Sequence, residues 1–123
     1  MSRSQIILTN KNEMSFKGQP FQGDGYYGFS DGLHTVSFHV NNFTARVYLQ
    51  ATLLEEPTED DWFDIELATT VPYCEFTQET GAKGITVVGN FVWIRVDVDR
   101  SYIPNQVYDI SVHGSIDKAV LVI

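Results

Sequence analysis

The chain has one cysteine, Cys74, among 123 residues. An internal disulfide is therefore excluded, and the composition suits a protein made in a reducing compartment. Basic residues are also scarce: eight Lys and Arg stand against sixteen Asp and Glu, a net charge of -8. No basic cluster exists to overcome that field, so nucleic acid is not an expected partner. Long apolar runs are missing as well. "MSRSQIILTN" (residues 1–10) holds three consecutive apolar residues, too few for a signal-peptide core, and no later run approaches a membrane span. Synthesis in the cytoplasm without a signal peptide, and no membrane partner, are the expectations.

Catalytic signatures are equally thin. There is no nucleophile elbow of the Gly-x-Ser-x-Gly kind. "GDGYYG" (residues 23–28) lacks the lysine and the following helix of a phosphate loop. His34 and His39 are five apart, so on one continuous strand they face opposite sides and cannot share a zinc ion. Asp97 and Asp99 share a strand face at roughly 6–7 Å, a separation glycosidases use. Glycosidase acids, however, oppose each other across a cleft, and these two read as surface solubilisers. Seven acids lie between Glu55 and Glu66 with no base among them. Their spacing matches no calcium loop and lacks its glycine, so they read as a solvated loop. "NFT" at Asn42 to Thr44 matches a glycosylation acceptor by chance in an unsecreted chain. No enzyme activity, no metal and no cofactor are expected.

What is present is period-two alternation and aromatic side chains. With 43% apolar and 20% charged residues, the chain is globular, and its length suits one domain over residues 1–123 that buries roughly two thirds of its unfolded surface. Segments spaced at three and four are nearly absent, while alternating segments recur. Strands are expected at "QIILTN", "HTVSFHV", "ARVYLQATLL", "WFDIEL", Tyr73 to Gln78, Ile85 to Val88, Phe91 to Asp99, Val107 to His113 and Ile116 to Ile123. Asn41-Asn42 reads as a turn, and Phe63, Ile65, Leu67 and Leu53 as inward. About nine or ten short strands with turns between them predict an all-β, antiparallel sandwich of jelly-roll type.

"GNFVWIRVDVD" (Gly89 to Asp99) carries the most specific signal. Val92, Ile94, Val96 and Val98 form one face, expected to meet Val47, Leu49 and Ile65 across about 10 Å of core. Phe91, Trp93, Arg95, Asp97 and Asp99 form the other. Aromatics and arginine are what interface centres favour, so Phe91, Trp93 and Arg95 are interface candidates. Arg95 is expected to meet a carboxylate near the rim, such as Asp97 or Asp99 of a neighbouring copy. Tyr26 and Tyr27, in a glycine-rich loop, and Trp62, after the acidic loop, are candidate sugar-stacking platforms.

Three segments in order, "HTVSFHVNNFTARVYLQATLLEEPTEDDWFDIEL", "GITVVGNFVWIRVDVD" and "SIDKAVLVI", resemble small β-sandwich structural modules of tailed bacteriophages, including marine cyanophages. In those modules a strand of the Leu-Gln-Ala kind precedes a tryptophan strand, and an Arg-Val strand precedes the last. The likeness covers roughly residues 34–123 and rests on Gln50, Trp62, Gly89 and Arg95 with the surrounding apolar pattern. The segment Gly18 to Leu33 has no counterpart. The resemblance implies a non-enzymatic virion component of head, neck or tail that contacts itself, as a homo-oligomer, and other virion proteins. The alternative is a carbohydrate-binding module recognising a host surface glycan.

Overall fold

A computed structural model describes residues 4–27, 32–67 and 71–122 of the chain. Its strands are β1 (Ser4–Thr9), β2 (Phe16–Lys17), β3 (Phe21–Gln22), β4 (Leu33–Thr52), β5 (Phe63–Asp64), β6 (Cys74–Val88), β7 (Trp93–Asp99) and β8 (Ser115–Val122). A 3₁₀ turn spans Glu59–Asp61, and a single helical turn, α1, spans Ile110–His113. All pairings are antiparallel, as the alternation predicts. The eight strands form one hydrogen-bonded sheet, ordered β1-β8-β4-β7-β2, with β3 on β7 and with β5 and β6 on β4. The sheet curls into a half-barrel. Its two margins approach at Gly18, which donates its N–H to the Val96 carbonyl (2.8 Å). A Cβ at Gly18 would sit 2.9 Å from the Ile7 carbonyl oxygen.

The twenty-residue β4 is the spine of the sheet. Its first half runs between β6 and β8, its second between β7 on one side and β5 and the start of β6 on the other. Val36, Phe38 and Val40 are buried at even positions, then Phe43, Ala45, Val47, Leu49 and Ala51 at odd ones. The change of parity occurs at Asn41-Asn42, where Asn42 takes φ 48° and the register with β6 shifts. This is a β-bulge within one strand and not the expected turn. An extra residue in a left-handed conformation bends the strand and turns its apolar set to the same side again. A local reading cannot separate the two, because both use asparagine in that conformation. Pairing with continuous neighbours decides it.

Other expected elements change in the same way. Tyr73 to Gln78 and Ile85 to Val88 merge into β6. Val107 to His113 is no strand: Asp109 caps α1 by accepting the Ser111 N–H (3.0 Å), and Gly114 (φ 70°) ends it. Ile94, Val96 and Val98 are fully buried, while Val92, ahead of β7, is half-buried. These valines do not face Val47 and Leu49 across a core. They lie beside them in the sheet, Val47 opposite Val98 and Leu49 opposite Val96. Ile65 and Leu67 are buried as expected, but Phe63 is 42% exposed and Leu53, past the end of β4, is 62% exposed.

One buried charge was invisible in the sequence. Arg100 is 0% exposed. Its guanidinium donates to the carbonyls of Thr44 (2.7 Å), Glu13 (2.9 Å), Met14 (3.3 Å) and His113 (3.3 Å). It therefore ties the bend of β4 to the segment before β2 and to the end of α1. Burial pushes its pKa down.

His34 is a second satisfied polar group inside the core: its Nε2 accepts the Asp24 N–H (2.8 Å), and its Nδ1 lies 3.1 Å from the Gly32 carbonyl. His39 is half-buried beside Ser37 on the opposite face of β4.

Candidate functional site

Outward residues of β7 meet outward residues of β4 in register: Trp93 opposite Thr52, Arg95 opposite Gln50, Asp97 opposite Tyr48. Gln50 is in turn opposite Asp64 of β5. This pairing builds a chain of polar contacts across three strands. Arg95 Nε donates to Gln50 Oε1 (2.8 Å), and Gln50 Nε2 donates to Asp64 Oδ1 (3.0 Å). The amide is thus oriented by its two partners, one a donor and the other a carboxylate.

The acidic segment after β4 folds back over this face as a strap. Thr58 shapes it: its backbone N–H and its hydroxyl both donate to Asp61 Oδ2 (2.7 and 3.0 Å), closing the 3₁₀ turn. Glu59 then reaches Arg95, with Oε2 2.9 Å from Nη1 and Oε1 3.5 Å from Nη2. Lys17 Nζ stands 3.9 Å from the same carboxylate. The hydrogen bond from Arg95, then its charge, hold the Glu59 carboxyl below the usual range. Trp62, at the end of the strap, stacks on the guanidinium, 4.2 Å from the Arg95 Cζ to the ring centre. Trp93 fastens the near end by donating its indole N–H to the Glu55 carbonyl (3.0 Å). Tyr26 leans on Trp93 with ring centres 5.2 Å apart.

Between strap and sheet lies a cleft of about 440 Å³, lined by Pro20, Glu55, Pro57, Glu59, Trp62, Trp93 and Arg95. It brings together residues that the sequence analysis assigned to two different roles: Trp93 and Arg95 as interface, Trp62 as a sugar platform. Tyr26, 46% exposed, stands beside it. Tyr27 is half-buried and donates its hydroxyl to Gln22 Oε1 (2.9 Å), which takes it away from the cleft's lining.

Two assignments are corrected here. Phe91 is not on the outward face expected of it. It is 8% exposed, packed between His34 and Phe63, and its ring lies so close to Gly89 that a Cβ there would come within 2.4 Å. It precedes β7, so the strand alternation that would have turned it outward does not extend to it. Arg95 is not at a rim waiting for a neighbour's Asp97 or Asp99: it is 7% exposed, and its own chain supplies the carboxylate. A buried arginine needs a nearby charge partner, and Glu59 of the strap supplies it. Glu55 and Glu59 were read as part of a solvated run. The signal available was that Arg95, the one basic residue on its face, required a carboxylate within reach, which points to an acid but does not choose Glu59 over Asp97 or Asp99.

The remaining chemistry-bearing side chains are dispersed. Asp97 is held above its usual pKa by burial, while Asp99 caps the following turn through the Ser101 N–H (3.0 Å). Burial also pushes the Cys74 thiol up, keeping it in its unreactive protonated form. Among the described residues no group of three His, Cys, Asp or Glu is placed to hold a metal ion. No protein-family model matches the chain, and no curated protein matches its sequence.

Proposed function

We propose that the chain is a non-enzymatic structural module of a tailed-phage virion, in head, neck or tail, acting through contacts with copies of itself and with other virion proteins. On this reading the curled sheet is the sandwich-like, jelly-roll-type body that the phage resemblance implies. Three of the four residues carrying that resemblance touch one another: Gln50 bonds to Arg95, and Arg95 stacks on Trp62. The fourth, Gly89, is where a side chain would strike Phe91. Scattered matches would have no reason to converge in this way, so the convergence favours a shared architecture.

The observation that carries the contact role is β6. This strand is fifteen residues long and, among the described residues, pairs only with β4. A long open strand edge presents unpaired backbone groups to any second chain. At its end Val88 (71% exposed) stands opposite Leu33 (53% exposed), an aliphatic pair facing solvent. On this reading the self-contact lies at the β6 margin and not at Phe91 and Arg95, which their own chain buries.

Light scattering across a concentration series tests this. Wild type should exceed the monomer mass, and Val88→Lys should lower the mass while leaving the far-ultraviolet circular dichroism unchanged. A wild type that stays monomeric at every accessible concentration would remove the self-contact.

A further inference from the structure

The cleft under the acidic strap has a chemistry that strand-edge contacts do not use. We propose that it is a binding site for a neutral saccharide, held between Trp62 and Trp93 with hydroxyls directed to Glu55, Glu59 and Arg95. Its size suits a small ring ligand: about 440 Å³ lies within the range of ligand pockets.

Three other ligand classes fit less well. Anions are opposed by the chain's net charge of -8, and Arg95, the one arginine lining the cleft, is already neutralised by Glu59. A ligand cation on Trp62 would have to share that ring with the Arg95 guanidinium, stacked on it at 4.2 Å, against like-charge repulsion that a neutral C–H face on the other side of the ring does not meet. An extended proline-rich peptide docks on an aromatic-lined groove and presents its carbonyls for recognition. One of the two indole donors lining the cleft, Trp93 Nε1, is already spent on the Glu55 carbonyl.

A neutral polyol meets none of these objections. Sugar rings have apolar C–H faces and polar edges, and the cleft offers the matching arrangement. Trp62 and Trp93 are half-buried and pinned by their own contacts, so stacking on them costs little ordering. Around them stand both kinds of hydrogen-bonding group. The Glu59 side chain is 71% exposed and accepts only. Arg95 uses three of its five donors on Gln50 and Glu59. A hydroxyl can both donate and accept, so it can bridge such a pair. The inference stands independently of whether the chain assembles in a particle.

Both tryptophans of the chain line the cleft, so emission excited selectively from tryptophan reports on this site. The test is a titration followed by tryptophan fluorescence with maltotriose, cellotriose, triacetylchitotriose, mannotriose and galactose, and in parallel with sulfate, choline and a proline hexapeptide. At least one neutral saccharide should give a saturable change, with sulfate, choline and the peptide giving none. Trp62→Ala should weaken the response at least about tenfold while circular dichroism stays that of the wild type. Should Trp62→Ala not fold, Glu55→Gln keeps the backbone carbonyl that Trp93 uses and should weaken binding in the same direction. Absence of saturation with every saccharide overturns the proposal. So does saturation by choline or the peptide in their place, or a saccharide response that survives these substitutions unchanged.

Discussion

Replacing Arg100 by methionine should strongly destabilise the protein, although it removes a charge from the core. Swapping a whole buried ion pair for apolar residues is often harmless. Here the partners are backbone carbonyls, and they stay behind. The guanidinium satisfies four of them, from Glu13, Met14, Thr44 and His113, in a place where Arg100 itself is 0% exposed. The bonds to the Met14 and His113 carbonyls are buried and the other two only partly so, and each buried acceptor left without a donor costs about 1–3 kcal/mol. With partial relaxation toward water, about 4 kcal/mol in all is expected, against a typical total of about 5–15 kcal/mol. Urea unfolding followed by circular dichroism should show the midpoint falling by about 2 M at the usual slopes for a small protein. Arg100→Lys should fall between the two: it keeps the charge but has three donors on one atom and cannot span four separated carbonyls. If Arg100→Met lies within about 1 kcal/mol of wild type, the guanidinium is not what holds the bend of β4, and the reasoning fails.

Gly114→Ala should destabilise by at least about 2–3 kcal/mol, because Gly114 has φ 70° and its new Cβ would fall 2.0 Å from the Asn42 carbonyl oxygen; thermal unfolding measures it. Asp97→Asn should stabilise the protein at neutral pH, since burial raises the carboxyl's folded pKa and penalises the charged form. That gain should shrink as pH falls through the raised pKa, where the wild-type carboxyl takes up its proton. Glu59 has the opposite sign. Its pKa is lowered by Arg95, so its contribution is present above the ordinary carboxylate range and lost as pH falls through the depressed value; carboxyl titration by NMR reads both groups. Calcium titrated calorimetrically should give no saturable heat in the micromolar range, with Glu59 committed to Arg95 and Lys17; a stoichiometric heat would contradict the reading of the strap.

The antiparallel all-β character was legible because alternation is a local property. Ile94, Val96 and Val98 are buried for the reason their spacing suggests. What alternation does not encode is where a strand continues past an irregularity. Asn41-Asn42 looks the same as a turn or a bulge until its neighbours are known, and so two expected strands proved to be one. α1 was readable in principle from Asp109 and Gly114, its cap residues, but the alternation of Val107, Asp109 and Ser111 with bulkier neighbours concealed it. Trp62, Trp93 and Arg95 were singled out individually. Their convergence was not accessible, because it depends on a strap that folds back and on the facing register of Gln50 with Arg95. Arg100 left no trace, since its partners are backbone atoms and carry no side-chain signature.

The proposed role as a virion component is tested most directly by quantitative mass spectrometry of gradient-purified tailed-phage particles from the lysate that produces this chain. The account predicts peptides of the chain in the particle fraction at a fixed copy number relative to the major capsid protein, retained through repeated gradients. Recovery only in the soluble fraction of the lysate, with none in intact particles, would contradict it.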